Sequence, residues 1–266
     1  MLPVIEIGPW SFSTYYTAYL LAFMIGGSLA YFRLVRGGEN LNVLRNGLLL
    51  TIGGIAFGLF ALAWLEAWVV TLITGQGQVV FIRVYYGLAF GLLLGGVYIH
   101  RKGLPLLRLG DRVLPAFALG FAIARLGCLA AGCCGGAETS AFWAMYTPDV
   151  DGHWLMRHPT QVISCLWQLT LFGGLMAFDA WRTKRPAQAP AWLLRDGLIT
   201  YAYFFGFGVE RFLLEFLRYD LKPIVGPFSL PHFLMLPLIV WSAWGFWQVA
   251  SSPKTAAASA DGQAAG

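Results

Sequence analysis

The sequence has 266 residues, of which 58% are hydrophobic and only 12% are charged, and its mean hydropathy is +0.65. Soluble domains carry about 25% charged residues, so this composition predicts an integral membrane protein. The net charge of +5 does not indicate nucleic-acid binding, because the basic residues lie in short clusters between apolar segments. The segment MLPVIEIGPW has no basic stretch followed by an apolar core, so we expect no cleavable signal peptide.

Apolar segments recur along the chain at lengths that suit membrane helices. A transmembrane helix needs about 20 predominantly apolar residues. We therefore predict an all-α bundle that forms a single transmembrane domain over residues 1–250, followed by a disordered cytoplasmic tail over residues 251–266. The seven predicted spans are at about residues 14–32, 47–73, 84–100, 113–132, 160–180, 197–217 and 230–250.

The loops between these spans alternate in charge. Basic residues concentrate after the first, third and fifth spans. Because basic loops stay in the cytoplasm, this bias predicts an N-terminus outside and a C-terminus inside. Residues 133–159, between the fourth and fifth spans, are polar, aromatic and rich in Gly and Pro. We expect them to form a small extracytoplasmic cap.

Ionisable residues inside the predicted spans are the first functional candidates. Arg211, Glu215 and Arg218 are spaced i, i+4 and i+7 in the segment RFLLEFLRYD, which places them on one helical face. An arginine at a bilayer centre costs about 2.5–3.5 kcal/mol. One interpretation is a salt-bridge ladder at the membrane interface. The other is an anion site for a phosphate, completed by Arg125 from the fourth span.

Two further patterns lie in the second and third spans. Gly87, Gly91 and Gly95 repeat every fourth residue, which is typical of a close helix–helix contact in lipid. Glu66 is interpreted as an isolated polar contact. In a third functional hypothesis, a small transporter, Glu66 and the charges of the sixth span form a proton path.

Three of the four cysteines form a C-x4-C-C pattern at residues 128, 133 and 134. A local disulfide or plain packing explains them most simply, with a thiol acyl or redox carrier as the alternative. A zinc site with His153 or His158 is a third interpretation. His158 precedes Pro159 at the start of the fifth span, where it either caps the helix or acts as a base.

Several motifs, in order along nearly the whole chain, resemble the prolipoprotein diacylglyceryl transferase family of bacterial inner-membrane enzymes. PVIEIGPWSFSTYY is similar to the family's opening, whose functional tyrosine aligns with Tyr15. The signature arginine aligns with Arg125 in ARLGC. RHPTQ, at residues 157–161, and RFLLEFLRYD are similar to two later charged blocks.

The resemblance implies a reaction that moves a diacylglyceryl group from phosphatidylglycerol to the thiol of a lipobox cysteine in a precursor protein. The implied partners are phosphatidylglycerol, lipobox-containing precursors and the lipid bilayer, with no cofactor and no metal. The implied location is the bacterial cytoplasmic (inner) membrane. By the same resemblance the catalytic candidates are Arg125, Tyr86, His158, Arg211 and Glu215, and the substrate-binding candidates are Tyr15, Gly87, Arg157 and Arg218.

The sequence departs from the family pattern at two places. The family usually has a histidine at the head of a glycine block before the third span, whereas here VYYGLAFG places Tyr86 there. A phenol has a reference pKa near 10 and is a poor base at neutral pH. The signature continues as GCLAAGCCGG, so Cys128 aligns with an asparagine of the family. A non-catalytic lipid-binding or thiol-redox protein on the same scaffold is therefore the alternative function.

Overall fold

A computed structural model describes residues 4–7, 10–58, 68, 71–72, 83–148, 153–219 and 223–251. It divides into two compact units. The first consists of Met1–Phe32 with Gly110–Gly266, and the second is Arg33–Leu109. Glu66 and the predicted tail after residue 251 lie outside the described residues.

Helices dominate the structure, which confirms the predicted fold class. One short 3-10 helix, η1 (Ala191–Leu194), precedes the sixth α-helix. Within the described residues the α-helices are α1 (Thr14–Arg36), α2 (Leu41–Phe57), α3 (Arg83–Arg101), α4 (Leu106–Ala131), α5 (Thr160–Lys184), α6 (Leu198–Glu215) and α7 (Leu230–Ser251).

Four of these helices are long and apolar enough to cross a membrane by length and composition, namely α1, α4, α5 and α7. Helix α2 is apolar but shorter. It begins six residues before the predicted span 47–73, and much of that span beyond Phe57 lies outside the described residues. The seven membrane crossings and their orientation stay predictions.

Three short antiparallel strand pairs accompany the helices in the described residues, and the first pair precedes α1. In the first unit, β3 and β4 occupy the segment where we expected a small cap, and β5 and β6 join α6 to α7. The sequence analysis did not predict these strands. Their bounds are β1 (Val4–Ile7), β2 (Trp10–Ser13), β3 (Met145–Pro148), β4 (Trp154–Arg157), β5 (Pro223–Val225) and β6 (Phe228–Ser229).

The core of the first unit lies between α4, α5 and α6. Ala118, Leu175, Ile199 and Tyr203 are all buried and cluster together, with a surrounding layer of partly buried Leu and Phe side chains. Burying each large apolar side chain contributes about 1.5–3 kcal/mol. This cluster fixes the relative positions of the three helices that carry the charged residues.

Helix α1 lies against α4 through small residues. An added Cβ at Gly120 would lie 3.0 Å from the Ala22 carbonyl oxygen, and one at Gly26 would lie 3.0 Å from the Ala116 carbonyl oxygen. Two turns nearer the end of α4, Gly127 faces Ala18. Such small residues allow two backbones to approach closely in lipid. The contact brings the first turns of α1 to the end of α4.

A buried carboxylate anchors the start of α6. Asp111, on α4, accepts hydrogen bonds at 2.8 Å from the backbone N–H groups of Gly197 and Thr200 and from the Thr200 hydroxyl. These N–H groups have no partner inside the helix, so the carboxylate caps it. Arg182 lies 3.5 Å from the same carboxylate. The cap sets the depth of α6 relative to α4.

The second unit packs α2 against α3 along the glycine seam. An added Cβ at Gly91 would overlap the Thr51 carbonyl oxygen and the Ile55 side chain, and one at Gly95 would overlap the Thr51 hydroxyl. Gly91 and Gly95 therefore serve helix packing, as their spacing predicted. The side chain of Tyr86, the residue before Gly87, lies outside the described part of the structure.

We expect Gly91→Val to destabilise the protein, because the new side chain must push α2 away from α3. Overpacking of this kind costs about 1–3 kcal/mol. Gly96→Val is the matched control, since no atom lies within 4 Å of a Cβ added there. Thermal unfolding in detergent measures both variants. Equal unfolding temperatures for the two would contradict the close approach at Gly91.

Candidate functional site

Arg125 lies in the last two turns of α4. Its guanidinium carbon stands 4.7 Å from the centre of the Phe121 ring, a cation–π contact within one helical turn. Its Nε atom is buried and makes no hydrogen bond. A buried donor without a partner costs free energy, so this atom is available to an acceptor that the chain itself does not provide.

Arg211 and Glu215 lie on the last turns of α6, as the sequence predicts, whereas Arg218 lies in the segment after the helix rather than on the same helical face. Glu215 Oε2 lies 3.8 Å from Arg211 Nη2 and 3.8 Å from Arg218 Nε. These distances are ion pairs rather than hydrogen bonds. The other oxygen, Oε1, accepts a hydrogen bond from the Ser229 hydroxyl at 3.1 Å. The carboxylate is buried and holds two arginines, one on each side.

The next helix fixes that carboxylate. Ser229, the last residue of β6, also donates its backbone N–H to His232 Nδ1 at 3.0 Å. His232 is fully buried at the start of α7. Two helices, α6 and α7, therefore position the Glu215 side chain.

The charges of α4 and α6 act on one another. Arg125 and Arg218 both interact electrostatically with Arg211. Arg125 also interacts with Glu210, which is buried one residue before Arg211. The structure thus brings the three arginines of the predicted anion site together from two helices and the segment after α6. An interfacial ladder confined to α6 does not explain the presence of Arg125.

Glu210 is held separately from the arginines. Its carboxylate accepts hydrogen bonds from the Ser164 hydroxyl and the Gln168 amide, both on α5 and both buried. Neither Glu210 nor these partners were predicted from the sequence as part of the site. Ser164 and Gln168 are spaced i and i+4 on the fifth predicted span, and two polar residues at that spacing indicate a polar stripe that faces the bundle interior.

The charges of this cluster do not balance. The guanidiniums of Arg125, Arg211 and Arg218 carry three positive charges, and Glu210 and Glu215 carry at most two negative charges, which leaves one positive charge in excess. Like charges in a medium of low dielectric repel strongly. An anion between the arginines would relieve that repulsion, and a phosphodiester suits forked guanidinium donors.

Three thiols lie beside the arginines. The Sγ atoms of Cys128, Cys133 and Cys134 are all within 4.8 Å of one another. Cys128 is buried at the end of α4, and the other two are partly buried in the loop after it. The loop is fixed by α5, because Gln161 Nε2 donates to the Cys133 carbonyl and Thr160 Oγ1 donates to the Cys134 carbonyl, each at 2.8 Å.

Cys134 is the thiol of the three whose pKa is lowered. Hydrogen bonds with the Cys128 and Cys133 thiols lower its pKa, burial opposes that effect, and the positive charges of Arg218 and Arg125 lower the pKa further. Its backbone is also left-handed, with φ of 60°. That conformation costs a non-glycine residue free energy and persists only where surrounding contacts impose it.

Arg157 is the last residue of β4, and His158 follows it, next to the arginine cluster. Arg157 is buried, donates from Nη1 to the Gly136 carbonyl at 3.4 Å, and lies 5.4 Å from the centre of the Tyr219 ring. Gly136 in turn forms a backbone bridge with Arg218. The substrate-binding candidate Arg157 is therefore connected to the cluster through one peptide.

His158 has a defined partner. The Trp143 indole N–H donates to His158 Nδ1 at 3.0 Å. In the neutral ring the lone pair on Nδ1 is thereby occupied and the proton sits on Nε2. This hydrogen bond counts against His158 as a base, so that role stays a prediction. Neither His158 nor His153 belongs to the thiol cluster, which disfavours the predicted zinc site with a histidine.

Tyr15 contacts Tyr19, which in turn contacts Cys128 of the thiol cluster. The rings of Tyr15 and Tyr19 lie 4.6 Å apart, and the Tyr19 hydroxyl lies 3.8 Å from Cys128 Sγ. The sequence analysis singled out Tyr15 and missed Tyr19, although the two are four residues apart on α1. Tyr86 and Gly87 lie on α3 in the second unit, and the Tyr86 side chain is outside the described part of the chain.

The chain is thus a mainly helical protein of the membrane-spanning class, with apolar helices long enough to cross a bilayer and a cluster of arginines among them. The profile of the family described as prolipoprotein diacylglyceryl transferase matches residues 3–248. The chain belongs to this family, which confirms the resemblance predicted from its motifs.

Relatives with the name phosphatidylglycerol–prolipoprotein diacylglyceryl transferase come from several bacteria. The Gloeobacter violaceus protein is 31% identical over 62% of this chain and 60% of its own length. The Geobacter sulfurreducens protein is 29% identical over 84% of this chain and 86% of its own length, and the Bordetella avium protein is 27% identical over 89% of both. The aligned segment covers less than two thirds of the length of the Gloeobacter violaceus protein.

We expect Glu215→Gln to destabilise the protein, since it leaves Arg211 and Arg218 without their shared carboxylate. Breaking a fully buried pair costs about 3–5 kcal/mol, and we expect about 1–3 kcal/mol here because both arginines are partly exposed. Glu138→Gln, at an exposed position, is the control. Thermal unfolding compares them. An unchanged midpoint for Glu215→Gln would show that the ion pairs contribute little.

Proposed function

We propose that this protein transfers a diacylglyceryl group from phosphatidylglycerol to the thiol of a lipobox cysteine in a precursor protein. The cysteine sulfur attacks the glyceryl carbon that bears the phosphate ester. The carbon–oxygen bond breaks, and glycerol phosphate leaves with the electron pair. The thiol proton passes to a base. The product is a thioether between the cysteine and diacylglycerol.

The observation that carries this proposal is the convergence of Arg125, Arg211 and Arg218 with an excess of positive charge. The departing phosphate gains negative charge in the transition state. Fixed guanidiniums in a site of low dielectric stabilise that charge without reorganisation. The same arginines bind the phosphodiester of the lipid more weakly, so they lower the barrier as well as hold the substrate.

Each arginine has a separate role in this scheme. Arg125 offers an unpaired buried Nε donor to the phosphate. Arg211 interacts electrostatically with both Arg125 and Arg218, and in this scheme it stabilises the leaving oxygen. Arg218 provides a further guanidinium for the headgroup. Glu215 orients Arg211 and Arg218 through its two ion pairs.

The remaining candidates surround the headgroup in our proposal. Arg157 supports the loop at Gly136, and Tyr15 positions the donor lipid with help from Tyr19. By the family resemblance, we assign Tyr86 as a hydrogen-bond donor to phosphate rather than a base, and Gly87 as a substrate-binding residue. His158 accepts the thiol proton only if its hydrogen bond with Trp143 opens.

The setting of the reaction is the bacterial inner membrane. The family consists of membrane enzymes that use a lipid, and the apolar helices of this chain are consistent with that setting. We further propose that the N-terminus lies outside and the C-terminus in the cytoplasm. The positive loops after the first, third and fifth predicted spans support that orientation.

We expect Arg125→Ala to reduce the transfer rate by about 100- to 1,000-fold, the loss typical of one donor that stabilises a developing oxyanion. The measurement uses purified protein in membranes without another transferase, labelled phosphatidylglycerol and a lipobox peptide. Arg125→Lys tests charge without the forked geometry. Arg185→Ala, at an exposed arginine just after α5, is the control and should retain full activity.

Three outcomes would contradict the proposal. Folded wild-type protein without any transfer would remove the catalytic function and favour a lipid-binding or thiol-redox protein. Equal rates for Arg125→Ala and Arg185→Ala would separate the reaction from the arginine cluster. Loss of function in Cys128→Ser and Cys133→Ser, with full function in Arg211→Ala, would favour the redox alternative.

We expect Tyr86→His to increase the transfer rate and to introduce a pH dependence near neutrality. An imidazole has a reference pKa of about 6.5, whereas a phenol near 10 remains protonated. The rate should rise as pH increases through the imidazole pKa, because only the neutral ring accepts a proton. Tyr86→Phe is the matched control. A rate for Tyr86→His equal to that of Tyr86→Phe would show that position 86 is not the site of the base.

A further inference from the structure

The cluster of Cys128, Cys133 and Cys134 has no role in the transfer reaction proposed above. Three thiols from one helix end and one loop meet with all Sγ atoms within 4.8 Å of one another. The described residues contain one other cysteine, Cys165, which lies separately on α5. By the sequence resemblance, the pattern stands where the family signature continues with asparagines and a glutamate.

From this geometry we propose that the three thiols bind a soft d10 metal ion as thiolates, with Cu⁺ in three-coordinate geometry as the best match and Zn²⁺ as the alternative. Thiolate ligands select these ions over harder cations. With metal–sulfur bonds of about 2.3 Å, sulfurs in a trigonal arrangement stand roughly 4 Å apart. The present spacing therefore needs only a small contraction.

The cluster is built before any metal arrives. Gln161 and Thr160, both buried on α5, hold the carbonyl groups of Cys133 and Cys134 at 2.8 Å. Cys134 is held in the left-handed region, with φ of 60°. The free energy stored in that conformation requires compensation from surrounding contacts. These hydrogen bonds orient the loop so that the Cys133 and Cys134 thiols lie close to the Cys128 thiol. Metal ligands in proteins are commonly oriented by neighbouring hydrogen bonds in the same way.

The charges near the cluster favour a thiolate complex. Arg125 and Arg218 act electrostatically on Cys134, and Arg125 acts on Cys128. A bare cation would be repelled by these arginines. Three thiolates with Cu⁺ carry a net charge of −2, and with Zn²⁺ a net charge of −1, so the complete complex is anionic. The arginines then stabilise it, and the Tyr19 hydroxyl, 3.8 Å from Cys128 Sγ, is placed to donate to a coordinated sulfur.

A metal with three cysteine ligands differs from the sequence-based expectation that no metal binds. A disulfide within the cluster is the competing state, because it would consume two thiolates and leave one. The two states are distinguishable under reducing conditions, where only the metal complex persists. The proposal does not depend on the transfer reaction, since no residue of the cluster takes part in that chemistry.

The test measures metal bound per chain after purification in detergent under reducing, oxygen-free conditions. Cu⁺ and Zn²⁺ are added in separate arms against a competing chelator. We expect wild-type protein to retain about one equivalent of at least one ion, and Cys133→Ser and Cys134→Ser to bind it at least about tenfold more weakly. Cys165→Ser is the matched control and should bind like wild type, because Cys165 lies outside the cluster.

A second measurement makes the result independent of variant folding. X-ray absorption of the loaded wild-type protein should show three sulfur ligands at about 2.3 Å. The proposal is overturned if folded, reduced wild-type protein retains neither ion, or if fewer than two of the ligands are sulfur. It is also overturned if folded Cys133→Ser and Cys134→Ser bind metal as tightly as Cys165→Ser.

Discussion

Repulsion among Arg125, Arg211 and Arg218 is the constraint on which the rest of the structure depends. Three guanidiniums meet in an apolar bundle, and Glu215 pairs with two of them at 3.8 Å. Such an arrangement is unfavourable unless other contacts impose it and an anion completes it. The Asp111 cap at the start of α6, the small-residue contact between α1 and α4, and the bond from Ser229 to Glu215 supply that support. The unfavourable electrostatic free energy of the three arginines is what makes the cluster suited to bind the anionic headgroup of the proposed substrate.

Much of the fold follows from the sequence, because long apolar segments have few stable alternatives in lipid. The starts of α1, α5 and α7 coincide with the predicted spans. Helix α4 begins seven residues before its predicted span. The segment LLRLGDR forms the first turns of this helix, but it is too polar to be counted as part of a membrane span by hydropathy. The short strand pairs were not predicted, because segments of two to four residues are too short to show the alternation of apolar and polar residues that identifies a strand.

The site could be predicted in part, and the limits have a physical cause. Charged residues inside apolar spans are costly, so Arg125, Arg211, Glu215 and Arg218 stood out without any structure. Their partners did not, because Ser229, Ser164 and Gln168 are common residues whose importance comes from contacts across the bundle. The spacing of the cysteines was visible, but their approach to within 4.8 Å depends on hydrogen bonds from α5.

The most direct test of the central claim measures distance between phosphorus and guanidinium nitrogen. Solid-state NMR on ¹⁵N-arginine protein in bilayers of phosphatidylglycerol reports ³¹P–¹⁵N dipolar coupling, with Arg125→Lys and Arg211→Lys used to assign the signals. We predict that Arg125 and Arg211 nitrogens lie within about 4 Å of the same lipid phosphorus, as forked guanidinium–phosphate contacts require. Coupling to neither arginine, in folded protein with the lipid present, would contradict the account.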